Sequence, residues 1–374
     1  MTKPVLFSRM MAVVLAVCVL YMGLPMFAQT AHGCRNIPTI INIDYPGGFQ
    51  TQPAAISNTG WITGGRLGTD SRNHCFLRSP GGSYTDCEPS GVSAISSFGW
   101  SINAAGQIAG VYKDSSGVYH GFLDSNGTFT TLDAPDRGTG MNQGTAAYDI
   151  NPTGEIAGQS IDNNNVYHSW VWVSGSFTVF DAPGGGTGAG QGTEVSIVDG
   201  LNPIGTTVGS TIDGSNVGHG FVRDADGSFA CTFDTPDAGH GSGQGTYPGG
   251  INQANIVEGD YSDSSGVYHA FVGPACGTLT EYDVVGAGTS PGQGTQNGNI
   301  NALGEVVGLY VDSSNVNHGY VREPNGMITR FDAPGAGTGS GQGTFPYCNN
   351  VNSQVTGWYA DNLGKLHGFL RSCN

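Results

Sequence analysis

The stretch from residue 277 to residue 321 reads GTLTEYDVVGAGTSPGQGTQNGNINALGEVVGLYVDSSNVNHGYV and holds one complete structural unit. Residues 278–283 alternate between polar and apolar side chains, as a half-buried β-strand does. Short apolar runs predict three further strands: one that ends at Asn301, one over residues 305–310 and one over residues 316–321. Glycine and proline recur too often for helices of about ten residues or more. The unit therefore predicts a four-stranded antiparallel meander.

The same unit recurs along the chain, and each copy contains a histidine followed by a small residue and an aromatic residue. These histidines are His74, His120, His168, His219, His269, His318 and His367. Their successive spacings are 46, 48, 51, 50, 49 and 49 residues. A period of this length indicates a repeat protein in which neighbouring copies bury each other's apolar faces.

The lengths of the connections predict how the copies are arranged. Short turns join the strands within a copy, whereas the glycine-rich loop at residues 286–295 forms a much longer link. Such a loop can lead from the outer edge of one sheet to the inside of the next. We therefore predict an all-β fold, a seven-bladed β-propeller of four-stranded antiparallel blades. The strand after the glycine loop is predicted to be innermost and the strand before it outermost.

The two ends of the chain predict how the ring closes. Residues 39–44 match the outermost strand of the other blades, and residues 366–370 match the third strand. The N-terminal strand would then pair in the last blade and leave no free sheet edge. An open solenoid with capped ends is the alternative.

The N-terminus has the pattern of a secretory signal peptide. Lys3 and Arg9 precede or flank an apolar run over residues 10–24, and Ala28 supplies a small residue at the expected cleavage site. An uncleaved membrane anchor is the alternative, but the run is shorter than the ~20 residues of a comfortable span. We predict a signal peptide over residues 1–28, a short lead over 29–37 and a single propeller built from the repeats over 38–374, in a secreted or periplasmic protein with no later membrane span.

The charge balance bears on possible partners. The chain has 13 basic and 29 acidic residues, for a net charge of −16, and loss of Lys3 and Arg9 with the signal peptide would make it −18. An acidic surface repels phosphate backbones, so a nucleic-acid partner is not expected. Only 11% of the residues are charged and 63 are glycine, which is typical of a turn-dense extracellular protein. We expect a monomer.

The cysteines predict disulfides, because an exported protein meets oxidising conditions. Cys34 precedes the first strand and Cys373 follows the last, so this pair would staple the closure of the ring. Cys75 and Cys87 flank the neighbouring hairpin and form the second predicted pair. A third pair, Cys231 with Cys276, would leave Cys348 unpaired. The cysteine spacing is not that of a zinc site.

The repeat itself resembles a known family. His269-Ala270-Phe271 and its variants with glycine, tyrosine, serine or tryptophan are similar to the bacterial extracellular HAF repeat, and the Ile-Asn turns at Ile102, Ile150, Ile251 and Ile300 fit as well. The likeness covers nearly the whole mature chain. It implies an exported repeat protein and says little about activity, because the role of that family is undefined.

Aspartates accompany each repeated histidine in two series. One precedes the histidine by six residues (Asp114, Asp162, Asp213, Asp263, Asp312 and Asp361), with Asp70 only four before His74. The other comprises Asp44, Asp86, Asp133, Asp181, Asp234, Asp283 and Asp332. Repeated sites for proton transfer or metal are one interpretation, and a hydrogen-bond brace in each blade is the other. We favour the brace, because an enzyme rarely needs several equivalent sites.

No cofactor is expected, although the turns after the first aspartate series offer oxygens that calcium could use. Each turn has a single carboxylate, and Asp, Ser, Asn and Gly also favour plain turns. The glycine loops lack the following helix that a dinucleotide site requires.

Residues that break the repeat are better candidates for a binding site. On the innermost strands, beside the central channel, they are Phe98, Trp100, Tyr148, Glu194, Asp199, Tyr247, Phe345 and Tyr347. Aromatic side chains beside acids and amides could stack on sugar rings and bond to hydroxyls. Alternatively, the aromatic rings fill the wedges between blades.

No unique catalytic constellation stands out. The leading hypothesis is a non-enzymatic binding or cell-surface interaction module that recognises glycan or protein on the face with the glycine loops. The alternative is a carbohydrate-active enzyme, a polysaccharide lyase or glycosidase, with its site at the channel mouth. A glycosidase needs two carboxyls about 5–10 Å apart, and Glu194 with Asp199 is the pair to test.

Overall fold

The computed structural model describes residues 37–89 and 94–373. The predicted signal peptide lies outside the described residues. Within those ranges the chain forms β-strands joined by turns, and we find no helix of the length and hydropathy needed to cross a membrane. The prediction of an all-β fold is confirmed.

The strands form successive runs of four, preceded by β1 (Thr39–Asn42). Run 1 is β2 (Gln50–Ile56), β3 (Ile62–Leu67), β4 (Asn73–Arg78) and β5 (Tyr84–Asp86); run 2 is β6 (Ser96–Ile102), β7 (Gln107–Lys113), β8 (Tyr119–Ser125) and β9 (Thr128–Leu132). Run 3 is β10 (Gly144–Ile150), β11 (Ile156–Ile161), β12 (Tyr167–Val173) and β13 (Ser176–Phe180); run 4 is β14 (Gly192–Val195), β15 (Thr207–Ile212), β16 (Gly218–Arg223) and β17 (Phe229–Phe233). Run 5 is β18 (Gly245–Ile251), β19 (Ile256–Ser262), β20 (Tyr268–Pro274) and β21 (Thr280–Tyr282); run 6 is β22 (Gly294–Ile300), β23 (Val306–Val311), β24 (Asn317–Arg322) and β25 (Ile328–Phe331). Run 7 is β26 (Gly343–Asn349), β27 (Val355–Ala360) and β28 (Leu366–Ser372).

The N-terminal strand supplies the fourth strand of run 7. β1 pairs antiparallel with β28, with Thr39 opposite Ser372 and Asn42 opposite Phe369. Beyond β1, the backbone N–H of Tyr45 donates to Oγ1 of Thr51 on β2 at 2.9 Å. The predicted pairing of the first and last strands is confirmed.

Hydrogen bonds between the runs are sparse. Single parallel bridges join the third strand of a run to the first strand of the next, for example Tyr119 to Gly144, and they link 24 strands into one sheet. Run 1 is a separate four-stranded sheet, so the hydrogen-bonded sheet is not closed. Run 1 is nevertheless packed on both sides, because β2 lies against β27 and β28 while β3 lies against β6.

The core of each run is built on the aromatic residue of the repeated motif. Every one of these residues has no exposed surface: Phe76, Phe122, Trp170, Phe221, Phe271, Tyr320 and Phe369. The small residue before the aromatic is also required by packing. A Cβ at Gly319 would lie 2.8 Å from both the Phe331 ring and Pro346. The repeated triplet is therefore part of the scaffold.

In runs 2 to 7, an asparagine after the first strand links the run to the next one. Asn252 is 5% exposed; its Oδ1 accepts from the backbone N–H groups of Ala254 and Ile256, and its Nδ2 donates to the carbonyl of Asn301 at 3.3 Å. The same donation runs from Asn103 to Asn151, Asn151 to Asn202, Asn202 to Asn252, Asn301 to Asn350 and Asn350 to Ser57. We call these residues the asparagine belt. It joins the last run to the first, across the gap between the two sheets.

Replacing Asn252 with alanine should lower the free energy of unfolding by about 3 kcal/mol, because a buried carbonyl and two backbone N–H groups lose their partner. Guanidinium unfolding followed by tryptophan fluorescence measures the effect. Asn164→Ala is the control, since Asn164 is exposed and its side chain donates only locally, to Asp162. Equal unfolding midpoints for the two variants would contradict the role given to the belt.

Two disulfides lie within the described residues. They join Cys75 to Cys87, as predicted, and Cys231 to Cys276, the third pair considered from the sequence. Cys348 has a free thiol and is buried. Cys34 lies outside the described residues, so its pairing with Cys373 stays a prediction.

Candidate ligand-binding pocket

Two adjoining cavities open between the first strands of the runs, on the side where the glycine loops lie. The larger, of about 420 Å³, is lined by Tyr148, Glu194, Tyr247, Phe345, Tyr347 and Trp358 among others. The second, of about 350 Å³, is lined by Trp100, Tyr119, Tyr148, Gln159 and Glu194 among others. We call the two cavities together the aromatic pocket. Six of the eight residues predicted as a binding site line it.

Aromatic rings form a continuous wall of the pocket. The Trp358 ring stacks on Phe345 at a centroid distance of 5.9 Å and lies 5.2 Å from Tyr347. Tyr347 in turn lies 6.3 Å from Trp100, and Trp100 meets the edge of Tyr148 at 6.0 Å. The wall therefore extends from run 7 through Trp100 of run 2 to Tyr148 of run 3.

Phe98 has a supporting position. Its ring lies 4.4 Å from that of Trp100 and packs directly on the backbone of Gly65, where an added Cβ would come within 2.3 Å of it. Phe98 is not among the residues that line either cavity. It holds Trp100 in place and fills the space between runs 1 and 2, which is the packing role considered from the sequence.

Polar groups form the opposite wall. The hydroxyl of Tyr148 donates to Oε1 of Gln159 at 3.1 Å, and Nε2 of Gln159 donates to Oε1 of Glu194 at 3.3 Å. Burial raises the pKa of Glu194 above its ordinary value. Glu194 is the one ionisable acidic or basic side chain among the residues that line the aromatic pocket, apart from the tyrosine hydroxyls.

The floor of the pocket is a short segment of run 4, residues 196–201, which we call the plug. β14 ends at Val195, and the chain then bends inward, with Asp199 at a φ of 48°. Val198 lines the aromatic pocket on one side and a separate cavity of about 140 Å³ on the other. It belongs to the same buried apolar cluster as Ile56 and Cys348. The plug therefore divides the space between the first strands into two parts.

Hydrogen bonds fix the plug to several runs. Oγ of Ser196 donates to the carbonyl of Pro248 at 2.6 Å, and the N–H of Ile251 donates to the carbonyl of Asp199 at 2.8 Å. Nδ2 of Asn299 donates to Oδ2 of Asp199 at 2.5 Å. A further bond runs from the N–H of Leu201 to Oδ2 of Asp149 at 2.9 Å.

Asp199 consequently lies away from Glu194. Asp199 lines the separate cavity of about 140 Å³, together with Asp149, whereas Glu194 lines the aromatic pocket. Burial, and then repulsion from Asp149, raises the pKa of Asp199. The structure does not bring Glu194 and Asp199 together in one cavity, because the plug turns the chain between them.

Two buried acids near the pocket have no counterpart in the sequence predictions. Glu258 has no exposed surface and neither carboxyl oxygen has a hydrogen-bond partner, and burial together with the charges of Asp260 and Asp199 raises its pKa well above the ordinary value. A carboxyl in this environment is held as the neutral acid. Burial also raises the pKa of Asp260 to about 7.

Gln159 and Trp358 are the pocket residues that the sequence predictions missed. Both occupy the position after a glycine of the second strand, paired across from Ala146 and Phe345 of the first strand. That position varies from run to run: Gly65, Val111, Gln159, Ser210, Asp260, Leu309 and Trp358. Variation beside an unchanging glycine was the signal that could have identified them.

The repeated histidines form a brace at the edge of each run. Nδ1 of His120 lies 2.8 Å from Asp133 and its Nε2 lies 3.6 Å from Asp114. The other oxygen of Asp114 accepts the N–H groups of Ser116 and Val118, both at 2.9 Å. These contacts support the structural interpretation of the two aspartate series and the plain-turn interpretation of the loops considered for calcium. Among the described residues, no three His, Cys, Asp or Glu side chains are grouped to hold a metal ion.

Run 1 departs from this pattern. His74 contacts Asp70 at 2.9 Å and, on its other nitrogen, Glu88. Asp86, which the spacing assigned to the second series, instead pairs with Arg66 at 2.9 Å. The assignment of Asp86 was wrong, because the outer strand of run 1 ends at Asp86 and the next acid along the chain reaches the histidine.

The glycine loops connect neighbouring runs. Oε1 of Gln143 accepts from the N–H of Gly140 at 2.8 Å, and its Nε2 donates to Oδ1 of Asn165 in the following run at 3.1 Å. The equivalent pairs are Gln191 with Asn216 and Gln293 with Asn315. A Cβ at Gly138 would lie 2.4 Å from the Gln143 oxygen, so the glycine makes room for this contact. Each loop leads into a strand, which agrees with the exclusion of a dinucleotide site.

No protein-family model and no curated protein matches the chain. Its structure is similar to that of the lectin BP39L from Burkholderia pseudomallei, with a TM-score of 0.55 and 12% identity over 87% of this chain and 96% of the lectin. It is similar to an oligogalacturonate lyase in complex with manganese, with a TM-score of 0.54 and 11% identity over 90% of this chain and 93% of that one. It is also similar to the β-propeller domain of Cps50 (Swd1) from Myceliophteria thermophila, with a TM-score of 0.50 and 8% identity over 89% and 99% of the two chains. These likenesses establish the β-propeller fold.

The brace predicts a pH dependence of stability. Burial lowers the pKa of His219, but its contacts with Asp234 and Asp213 outweigh burial and raise it above 6.5. Hydrogen bonds from the backbone N–H groups of Val217 and Ser215 lower the pKa of Asp213 below 3.8. The raised histidine stabilises the fold fully below pH 6.5 and loses this effect as the pH rises through its folded pKa. The lowered aspartate stabilises it fully above pH 3.8 and loses this effect as the pH falls through its folded pKa.

The Tm difference between the wild-type protein and His219→Asn should therefore be largest between pH 3.8 and 6.5 and should shrink at alkaline pH. Differential scanning calorimetry across the pH range measures it. His240→Asn is the control, because His240 lies exposed in a glycine loop. A Tm difference for His219→Asn that is constant with pH would exclude the brace as its source.

Proposed function

We propose that the protein is an exported carbohydrate-binding module whose site is the aromatic pocket. The observation that carries this proposal is the row of rings of Trp100, Tyr148, Tyr347 and Trp358, which lines the aromatic pocket together with the hydrogen-bonding groups of Gln159 and Glu194. A sugar ring has apolar faces and a polar rim. It can therefore stack on aromatic side chains while its hydroxyls bond to nearby polar groups.

The aromatic rings and the polar groups have distinct parts in this binding mode. The rings of Trp358 and Tyr347 offer faces on which a sugar can stack. Glu194 accepts hydrogen bonds from hydroxyls, and Gln159, already bonded to Glu194 and Tyr148, holds the carboxylate in position. The plug closes the pocket from below, so the ligand enters from the side of the glycine loops.

We infer that the runs of strands are the blades of a closed seven-bladed propeller. The packing of run 1 against both β6 and β28, and the bond from Asn350 to Ser57, support this closure. The two disulfides support export, since disulfides persist in oxidising compartments. The repeated His-x-aromatic triplet supports membership of the HAF repeat family.

Binding without turnover is the function we favour over the enzyme alternative. A glycosidase places two carboxyls on either side of the scissile bond, about 5–10 Å apart. Glu194 is the one carboxyl among the residues that line the aromatic pocket, and Asp199, within the plug, lines the separate cavity instead. Incubation of bound oligosaccharides with the protein, followed by mass spectrometry, tests this point. Appearance of shorter products would overturn it.

A glycan array, supplemented with cellotriose and the trimers of N-acetylglucosamine, glucosamine and galacturonic acid, identifies the ligand. Trp358→Ala should weaken binding of the oligosaccharides that bind the wild-type protein by roughly tenfold or more, because it removes a stacking surface from the centre of the site. Isothermal titration calorimetry gives the affinities. Phe49→Ala is the control, because Phe49 is 56% exposed and does not line the pocket.

Unchanged affinity in Trp358→Ala would place the ligand elsewhere. Absence of binding to every oligosaccharide on the array would refute the proposed function.

A further inference from the structure

We propose that the aromatic pocket selects carbohydrate that bears a protonated amine, such as an oligosaccharide of glucosamine, over neutral or acidic sugars. This inference rests on the proposed function and names the class of ligand. It is drawn from the charges and aromatic faces that surround the cavity.

The pocket has an acid and no opposing cation. Glu194 lines both of its cavities, and no lysine or arginine lines either one. The hydrogen-bond partner of the Glu194 carboxylate within the described residues is the neutral amide of Gln159. A partly buried carboxylate that lacks a counter-charge is costly to desolvate, and an ammonium group of a ligand would supply that counter-charge.

One basic side chain contacts a residue that lines the pocket. Nζ of Lys113 lies 4.5 Å from the centroid of the Tyr119 ring and donates to Oδ1 of Asn142 at 2.7 Å. Tyr119 lines the smaller of the two cavities, whereas Lys113 does not. This lysine is thus already engaged with a loop residue outside the site.

The aromatic wall favours the same ligand. The electron-rich faces of tryptophan and tyrosine attract ammonium groups, most strongly where water is excluded. Trp358, Tyr347 and Tyr148 line the same cavity as Glu194. An amine on a stacked sugar would contact both an aromatic face and the carboxylate.

The net negative charge of the protein adds to the preference for an amine-bearing ligand. The whole chain has a net charge of −16. A cavity lined by one sign of charge concentrates ligands of the opposite sign and repels those of the same sign. Uronic acid sugars should therefore bind least.

The test compares trimers of glucosamine, N-acetylglucosamine and glucose, which share a backbone geometry and differ in charge, and it adds the galacturonic acid trimer as an acidic sugar. In isothermal titration calorimetry at low salt, and at a pH where the amines are protonated, the glucosamine trimer should bind about tenfold or more tightly than the N-acetylglucosamine trimer. High salt should reduce the preference, since ions screen the attraction. The galacturonic acid trimer should bind more weakly than cellotriose.

Glu194→Gln isolates the charge. It keeps the size of the side chain, so the ratio of the affinities for the glucosamine trimer and the N-acetylglucosamine trimer should fall about tenfold. Asp237→Asn is the matched control, because Asp237 is exposed and lines neither cavity, and it removes the same charge. Circular dichroism melts of both variants check that the fold is retained.

The outcomes separate the two proposals. Neutral trimers that bind as tightly as the glucosamine trimer would refute the charge preference and leave carbohydrate binding intact. No binding by any trimer or array glycan would refute the proposed function itself. An equal loss of preference in Glu194→Gln and Asp237→Asn would trace the effect to overall charge rather than to the pocket, and this too would overturn the inference.

Discussion

The asparagine that follows the first strand in runs 2 to 7 is the contact on which the architecture depends. Its Oδ1 accepts a backbone N–H of its own turn, and its Nδ2 donates to a carbonyl of the neighbouring run. In Asn202, for example, Oδ1 accepts from the N–H of Thr206 and Nδ2 donates to the carbonyl of Asn252. Since neighbouring sheets in this fold share few backbone hydrogen bonds, side chains must set their angle and spacing. The belt does so at one end of the first strands, and the Gln143-type contacts of the glycine loops do so at the other.

With the scaffold held by repeated contacts, other positions are free to vary, and these positions form the pocket. The first strand alternates, so its side chains point either toward the adjoining strands or toward the common centre. The central positions carry Trp100, Tyr148 and Tyr347, whereas the buried positions of the same strands keep threonine and isoleucine, such as Thr145 and Ile150. Binding residues therefore differ between runs while the fold repeats.

The sequence predicted the parts of the molecule that obey the repeat. The His120 brace, the pairing of β1 with β28 and the Cys75–Cys87 bond follow from spacing alone, because equivalent positions in a repeat meet equivalent neighbours. Six of the eight predicted site residues line the pocket for the same reason.

The sequence predictions that failed concern positions where the repeat is broken. Residues 196–201 belong to the longest spacing between histidines, 51 residues, and no neighbouring copy shows what the extra residues do. The bend that they form moves Asp199 out of the pocket, which spacing cannot reveal. In run 1 the acid that reaches His74 comes from position 88 rather than 86, because the outer strand is short. Gln159 and Trp358 were missed because the second strand was taken as scaffold only.

The plug has a consequence for the length of any bound chain. Val198 and its neighbours seal the floor, so the recess is a dead end and not a tunnel. A polymer cannot be threaded through it from end to end. It can present only a terminus to the floor of the recess, or lie as a short bent segment whose two arms leave by the same opening.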